Sequence, residues 1–377
     1  MERRVPFIDL IRAYSYYSEE LEEAALRVLR SGVYLNGSET EALERELADY
    51  LGVNFAIGVS SGTEALYLIL RALDLTPQSC VLLPSFTFVA TAEVVVRAGL
   101  RPVFVDIEPD TPNISVEELA KTYKKLRDKK ENISAVIAVS IFGYPAKLIK
   151  IAEFCREHGL YLIEDICQAF GASIGDKKVG TFGIASATSF YPTKSLSAFG
   201  DAGMVFTNDK NLYEKIRILK EHGQSAPYYY TTHGINGRID EIQCALLRVK
   251  FKYFEKERVY REKWANFYRQ ELKSLPIKTF ITDQKDKPVL SLFSLRVRER
   301  DELKKFLEEK GVSTRIYYPV PLHLQPVYQR LGYIEGDLPE TERLCKEILS
   351  LPFFPYLSLE EAKYVVDKIK EFYGSSL

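Results

Sequence analysis

The chain has 377 residues, of which 46% are hydrophobic and 27% are charged, and these proportions are typical of globular proteins. They exclude a disordered, collagen-like or disulfide-scaffold chain, and the length favours two domains at ~150 residues per domain. The 51 Lys and Arg residues nearly balance the 52 Asp and Glu residues, which gives a formal net charge of −1. Such a balance provides no general basic surface for nucleic acid or anionic membranes, so local groups must hold any anionic ligand.

The cysteines and the apolar runs indicate where the protein resides. The five cysteines include no CxxC pair, which argues against a zinc site or a disulfide framework and favours a reducing compartment. Residues 1–6 lack the apolar core of a signal peptide, and the longest apolar runs, such as 135–142, are far shorter than the ~20 residues of a membrane helix. We therefore expect a cytoplasmic protein with no metal site and no membrane segment.

Apolar strands alternate with helices in the first half of the chain. Ser38 and Glu41 predict a capping box for a helix over 38–51, and Ser115 and Glu118 predict a second one. Strand-like runs lie at 55–59, 81–83, 103–105, 135–140 and 161–163, with helix-like segments between them at 64–73, 90–98 and 148–154. Strands that are apolar throughout and alternate with helices are typical of an α/β fold with a mostly parallel sheet covered on both faces.

The alternation loosens after Gly180. The sequence then predicts strands at 185–190, 204–206, 289–297 and 314–318, and helices at 211–222, 239–272, 301–309 and from a Ser358/Glu361 capping box onward. We expect a large domain over residues 1–250 and a smaller α+β domain over residues 251–377.

Polar residues follow three strands of the predicted sheet, at the edge where open parallel sheets bind ligands. The first group is Ser60-Ser61-Gly62-Thr63, between a strand and a helix. The first N–H groups of the helix have no partners there, Gly62 lets an anion approach the backbone and Thr63 adds a hydroxyl, so the segment suits a phosphate. An ordinary helix cap is the alternative interpretation.

The second and third groups supply a carboxylate and a lysine that lie 29 residues apart, Asp165 and Lys194. Asp165 ends an apolar strand, where a carboxylate needs a cationic or N–H partner, although a helix cap or a salt bridge would also explain it. Lys194 follows Phe190 and Tyr191, and desolvation among such side chains lowers the pKa of an amine and makes it nucleophilic. A surface lysine is the alternative, and Ser189 offers a further hydroxyl for an anion.

Together these groups are the parts that pyridoxal 5′-phosphate (PLP) requires. A lysine forms the Schiff base, a carboxylate keeps the pyridine nitrogen protonated, and a cradle of N–H and hydroxyl groups holds the phosphate.

The sequence closely resembles the PLP-dependent nucleotide-sugar aminotransferases of the DegT/DnrJ/StrS family, which have the type I fold of aspartate aminotransferase. The matching segments run nearly end to end and are Pro6-Phe7-Ile8-Asp9-Leu10, Ser61-Gly62-Thr63-Glu64-Ala65-Leu66, Pro84-Ser85-Phe86-Thr87-Phe88-Val89-Ala90-Thr91, Glu164-Asp165, Gln168-Ala169, Ser189 to Lys194, Gly200-Asp201, Asn236-Gly237-Arg238-Ile239-Asp240-Glu241 and Tyr318-Pro319-Val320-Pro321-Leu322-His323.

The resemblance implies a role for each matching side chain around the cofactor ring. Lys194 would form the internal aldimine and later move the proton between cofactor and substrate. Asp165 would pair with the pyridinium nitrogen, and Gln168 would approach the ring hydroxyl. Phe88 would stack on the ring, whereas the residues alone identify it only as one aromatic in an apolar run.

The resemblance also implies that Gly62, Thr63 and Ser189 hold the phosphate. Asn236 would reach the same phosphate from the neighbouring subunit, which makes the active site depend on a homodimer. Without the resemblance, Asn236 is an ordinary cap before the helix at Ile239.

The implied reaction is a ping-pong transfer of an amino group from an amino acid, usually L-glutamate in this family, to a nucleotide-linked ketosugar. Gln168 favours a C3 ketone, with a C4 ketosugar or a cyclitol ketone as the alternative. Arg238, Tyr317 and His323 are candidates for substrate binding, and Tyr317 stands where many relatives have His. Arg315 is a candidate for a uronate carboxylate, with a solvent-exposed arginine as the alternative.

Two further functions compete with amino transfer. Relatives that dehydrate a ketosugar at C3 replace the lysine by His, whereas Lys194 is present here. Some relatives are described as regulators, but no basic DNA-reading helix is visible in the sequence.

Overall fold

The computed structural model describes residues 4–374, so residues 1–3 and 375–377 of the two predicted domains lie outside the described part. The helices are α1 (Leu10–Ser15), α2 (Ser18–Ser31), α3 (Ser38–Leu51), α4 (Gly62–Ala72), α5 (Ala90–Arg97), α6 (Val116–Asp128), α7 (Leu148–His158), α8 (Lys210–Leu219), α9 (Glu241–Leu272), α10 (Arg300–Glu309), α11 (Pro339–Glu347) and α12 (Leu359–Gly374).

The strands are β1 (Phe55–Val59), β2 (Cys80–Pro84), β3 (Arg101–Val105), β4 (Ile133–Val139), β5 (Tyr161–Asp165), β6 (Ser173–Ile174), β7 (Lys177–Lys178), β8 (Ala185–Ser189), β9 (Gly203–Thr207), β10 (Gln224–Ala226), β11 (Tyr229–Tyr230), β12 (Lys278–Thr279), β13 (Asp286–Lys287), β14 (Phe293–Arg296) and β15 (Ile348–Leu351).

A seven-stranded sheet in the order β1-β9-β8-β5-β4-β2-β3 organises the first two thirds of the chain. Its pairs are parallel except those that β9 makes with β8 and β1, so one strand runs against the others. Along β2, Leu82 packs into one buried cluster while Val81 and Leu83 pack into another. Alternate side chains therefore fill cores on both faces, which explains why the strands are apolar throughout.

A third apolar cluster joins the two ends of the chain. It contains Trp264 of α9, Phe293 of β14 and Val365 of α12, together with Leu21 of α2 near the N-terminus. The smaller sheet of this region has the antiparallel order β12-β14-β15. The 32-residue helix α9 runs unbroken through position 250, where the sequence placed the domain boundary, and that boundary stays a prediction.

Several local predictions are confirmed. The Ser115 side chain accepts the N–H of Glu118 (3.4 Å) and caps α6. Ser358 and Glu361 bond reciprocally before α12, at 2.8 and 3.1 Å, as a capping box requires.

Two local predictions are wrong. Residues 314–318 do not form a strand but only an isolated bridge, between Arg315 and Ser350. The Ser38/Glu41 capping box is absent, because the N-cap residue of α3 is Gly37, which has no side chain that could cap the helix.

The start of α3 is instead capped by Glu241, the first residue of α9. Its carboxylate accepts the backbone N–H groups of Gly37 (3.0 Å), Glu39 (2.5 Å) and Thr40 (3.2 Å), and also the Thr40 hydroxyl (2.5 Å). Glu241 is only 2% exposed. A buried anion at a helix N-terminus meets the unpaired N–H groups and the positive end of the helix dipole, so Glu241 fixes α9 against α3.

A buried chain of hydrogen bonds joins the loop after β2 to the loop before α11. His323 Nδ1 lies 2.7 Å from Ser85 Oγ, and His323 Nε2 lies 3.1 Å from Glu342 Oε1. Since a carboxylate only accepts, we assign the ring proton to Nε2 and let the Ser85 hydroxyl donate to Nδ1. Burial lowers the pKa of His323, although Glu342 opposes the shift, so the neutral ring is favoured.

In residues 4–374 no helix combines the length with the apolar composition that a membrane crossing requires.

We expect Glu241→Gln to destabilise the fold, because the amide replaces one accepting oxygen by a donor that faces N–H groups. The expected loss in the free energy of unfolding is about 1–3 kcal/mol, measured by urea denaturation. Glu262→Gln is the control, since Glu262 lies on the exposed face of the same helix. Equal stability of the two variants would contradict the cap.

We also expect His323 to lower the stability of the folded state at acidic pH. Because its folded-state pKa is lowered, the unfolded chain takes up a proton there first as pH falls. The contribution is complete above about pH 6.5 and is lost as pH falls through the folded-state pKa. The urea midpoint of the wild type should therefore drop more steeply with acidification than that of His323→Gln, and parallel curves would refute the assignment.

Candidate active site

A cavity of about 890 Å³ opens at the carboxyl edge of the central sheet. Its wall includes residues that follow β1, β2, β5 and β8, together with residues near both ends of the chain. The structure thus brings eight of the predicted site residues onto one surface, namely Gly62, Thr63, Phe88, Asp165, Gln168, Ser189, Lys194 and Tyr317.

The start of α4 forms one side of this cavity. Ser61 is the N-cap residue, and its Oγ accepts the N–H of Glu64 (3.1 Å). The ordinary capping role therefore falls to Ser61, while the N–H groups of Gly62 and Thr63 lie at helix positions without intrahelical partners. A Cβ on Gly62 would lie 2.7 Å from Ser189 Cβ and 2.9 Å from Cys167 Sγ, so only glycine lets the helix start approach Ser189 this closely.

Asp165 ends β5 and lies on the cavity wall with 6% of its surface exposed. Its Oδ1 accepts the N–H of Cys167 (3.1 Å), and its Oδ2 accepts the Thr91 hydroxyl (2.9 Å). Thr91 Oγ1 in turn lies 3.0 Å from Thr87 Oγ1. These neutral partners hold the carboxylate in place without a cation, so its charge remains available to a ligand.

Lys194 lies in the turn after β8, where its N–H bonds to the Tyr191 carbonyl (2.8 Å). Burial lowers the pKa of the Lys194 amine, while Cys167 and Asp165 raise it by a smaller amount. Burial also raises the pKa of the Cys167 thiol well above its ordinary value, which keeps that thiol protonated. The cavity therefore holds an amine that loses its proton more readily than an exposed lysine does, and the surface-lysine interpretation does not fit.

The Gln168 amide also lines the cavity. Its Oε1 accepts the N–H of Phe142 (3.0 Å), and its Nε2 donates to the Tyr318 hydroxyl (3.3 Å). Burial raises the pKa of Tyr318, so this hydroxyl stays protonated. The contact of Gln168 with a cofactor ring stays a prediction.

Several aromatic side chains also line the cavity. Phe88 is 54% exposed and lies on the cavity wall, so it is not a core side chain. Its ring centroid is 6.4 Å from that of Tyr318, which also packs edge-on against Phe86 at 5.8 Å. Tyr317 packs against Phe7 at 6.1 Å. An exposed ring that borders a cavity is available for stacking on a flat ligand.

Three predicted site residues do not line this cavity. Asn236 is exposed and does not cap α9, whose N-cap residue is Asp240. Arg238 pairs with Glu221 (2.9 Å). His323 is buried in the hydrogen-bonded chain described above, which accounts for it without a substrate contact. The role of Asn236 across a dimer stays a prediction.

Sequence reasoning missed several wall residues. Thr87 and Thr91 stand four residues apart, and a hydroxyl pair at that spacing shortly after a strand could have marked them. Ser291 and Phe353 reach the wall from distant parts of the chain, and no local sequence pattern predicts their positions there.

Comparison with known proteins places the chain in a family. The model of the DegT/DnrJ/EryC1/StrS aminotransferase family matches residues 15–370. The "Pleiotropic regulatory protein" of Geobacillus stearothermophilus is 41% identical over 98% of this chain and 98% of that protein. The dTDP-3-amino-3,4,6-trideoxy-alpha-D-glucose transaminase of Streptomyces venezuelae is 37% identical over 98% of this chain and 96% of that protein.

A solved structure gives the same result. The crystal structure of DesV from S. venezuelae in complex with a ketimine intermediate has a TM-score of 0.94 and 37% identity, and it covers 98% of each chain. The predicted fold class, the type I fold of these aminotransferases, is thereby confirmed. The chain belongs to the DegT/DnrJ/EryC1/StrS aminotransferase family.

Proposed function

We propose that this protein is a PLP-dependent aminotransferase that transfers an amino group from an amino acid, L-glutamate above all, to C3 of a nucleotide-linked ketosugar. The observation that carries the proposal is the placement of Lys194 and Asp165 on one cavity wall, beside the N-terminus of α4. Two substrates that use one cavity in turn would give ping-pong kinetics.

The residues present fit the cofactor. When bound, PLP supplies an electrophilic carbon for amines and a ring that takes up electrons. The N–H groups of Gly62 and Thr63, with the hydroxyls of Thr63 and Ser189, would hold its phosphate. The Asp165 carboxylate, which Thr91 and the Cys167 N–H keep in position, would accept a hydrogen bond from the ring nitrogen.

Lys194 would both attach the cofactor and move protons. Because burial lowers its pKa, the amine is uncharged at lower pH than an exposed lysine and can act as a nucleophile. The same nitrogen, once free, would move a proton from the Cα of the amino donor to the cofactor in the first half-reaction, and from the cofactor to the carbon of the acceptor in the second. Phe88 would cover the ring, and the apolar wall would limit access of water.

The position of amination is proposed from Gln168 and from the S. venezuelae relative, whose name describes a 3-amino sugar. A C4 ketosugar or a cyclitol ketone is the alternative acceptor. A regulatory role is the second candidate, since the G. stearothermophilus relative carries the name of a regulatory protein. The complete set of Lys194, Asp165 and the α4 N-terminus favours catalysis over a purely regulatory role.

We further propose that the enzyme is a cytoplasmic homodimer with shared active sites. The exposed position of Asn236 is compatible with a reach into a second subunit. Tyr228, Tyr229 and Tyr230 lie near it in sequence and are 89%, 65% and 55% exposed, which is unusual for aromatic side chains without a partner surface. All five cysteines are free, as a reducing compartment favours.

The test is a panel of UDP-, TDP- and GDP-linked 3-ketosugars and 4-ketosugars, each with L-glutamate, in which both the aminosugar and 2-oxoglutarate are measured. We expect turnover of a 3-ketosugar. Lys194→Ala should lower kcat by about 10²- to 10⁴-fold, because the amine that moves the proton is gone. Lys210→Ala, at an exposed position of α8, is the control and should leave kcat unchanged.

Wild-type turnover by Lys194→Ala would refute the catalytic role of this amine. Faster turnover of a 4-ketosugar than of any 3-ketosugar would refute the C3 assignment alone, while leaving amino transfer intact.

A further inference from the structure

Two cationic side chains, Lys194 and Arg315, lie on the wall of the main cavity in the part of the chain that the structure describes. The acidic side chains on the same wall are Asp165 and Asp201. An amino-acid donor must bring its carboxylates into this cavity, and a carboxylate that leaves water requires a cationic or N–H partner. Under the proposed function Lys194 is committed to the reaction, so Arg315 is the other cation that the described part of this chain offers to a carboxylate.

The backbone of Arg315 is held firmly. Its N–H donates to the Ser350 carbonyl (3.1 Å), and the Ser350 N–H donates to the Arg315 carbonyl (2.8 Å), which ties the residue to β15. The guanidinium carbon lies 5.7 Å from the centre of the Phe7 ring. The backbone of Arg315 is therefore fixed, and its side chain packs against one aromatic ring.

The guanidinium itself is largely uncommitted. Within residues 4–374 its one hydrogen bond runs from Nη1 to the carbonyl of Thr314 (2.9 Å), and no carboxylate lies within ion-pair distance. A guanidinium carries five N–H donors in a planar fork that matches the two oxygens of a carboxylate. Most of this donor capacity is available to a ligand.

Two serines also line this cavity. Ser291 is 5% exposed, and its hydroxyl has no hydrogen-bond partner among the described residues. Ser313 adds a further hydroxyl to the wall next to Arg315.

We propose that Arg315 binds the side-chain carboxylate of a dicarboxylic amino donor and thereby selects glutamate over neutral amino acids. The proposal rests on the proposed function. The α-carboxylate is attached to the carbon that reacts, so it must stay beside Lys194. Arg315 is exposed and also lines a smaller neighbouring cavity of about 360 Å³, which places it at the rim, where the far end of a longer donor would reach.

The test separates the two half-reactions of the PLP-loaded enzyme. Conversion of the cofactor to its amine form is followed by absorbance, without sugar, for L-glutamate and for its neutral analogue L-glutamine. We expect Arg315→Gln to lower kcat/KM for glutamate by about 10- to 100-fold and for glutamine by less than about threefold. Arg315→Lys should fall between wild type and Arg315→Gln, because an ammonium keeps the charge but loses the fork.

Lys304→Gln is the matched control, since Lys304 lines the smaller cavity only. This variant should leave kcat/KM for both glutamate and glutamine unchanged. A measurement without turnover uses glutarate, a dicarboxylate that has no amine. Its dissociation constant, measured by calorimetry, should rise about 10-fold or more in Arg315→Gln.

Three results would overturn the assignment of Arg315. The first is an equal fall in kcat/KM for glutamate and glutamine, and the second is no fall for either. The third is a fall in kcat/KM confined to the half-reaction with the nucleotide sugar, which would assign Arg315 to a carboxylate or phosphate of that substrate. Failure of the wild type to convert either amino acid would instead refute the proposed function, and the glutarate titration would still test Arg315.

Discussion

The chemistry of the cavity depends on one partly buried lysine amine that lies on the same wall as one buried carboxylate. Burial lowers the pKa of Lys194, and Asp165 partly opposes that shift. The carboxylate stays in place because a backbone N–H and the Thr91 hydroxyl satisfy it, so it needs no permanent cation. This chemistry requires an amine that readily loses its proton and a carboxylate that can bind a protonated ring nitrogen. One edge of the sheet supplies both groups.

Interactions over long sequence distances keep that edge in register. Glu241 holds the start of α3 against α9, and the Ser85–His323–Glu342 chain ties the loop after β2 to the loop before α11. Phe88 belongs to the first of these loops, and Tyr317 to the second. Interactions between segments far apart in the sequence therefore position the aromatic residues of the cavity wall.

The sheet and the inner site could be predicted because their causes are local. Apolar runs indicate the strands, Asp165 ends β5, and Gly62 and Lys194 lie shortly after β1 and β8. The Ser38/Glu41 prediction failed because Glu241, 202 residues from Glu39, competes successfully for the N–H groups. The strand predicted at 314–318 failed because this segment makes only one isolated bridge, between Arg315 and Ser350, and no continuous ladder. Among residues 4–374 no carboxylate pairs with the Arg315 guanidinium, and this depends on long-range packing that local sequence patterns do not reveal.

The attachment of the cofactor to Lys194 is the central claim, and it can be measured directly. Purified holoenzyme would be reduced with borohydride and digested, and the peptides would be analysed by mass spectrometry. The account predicts a single pyridoxyl label on the peptide that contains Lys194, with loss of the label in Lys194→Ala. A label on a different lysine, or no label on a protein that still retains PLP, would contradict it.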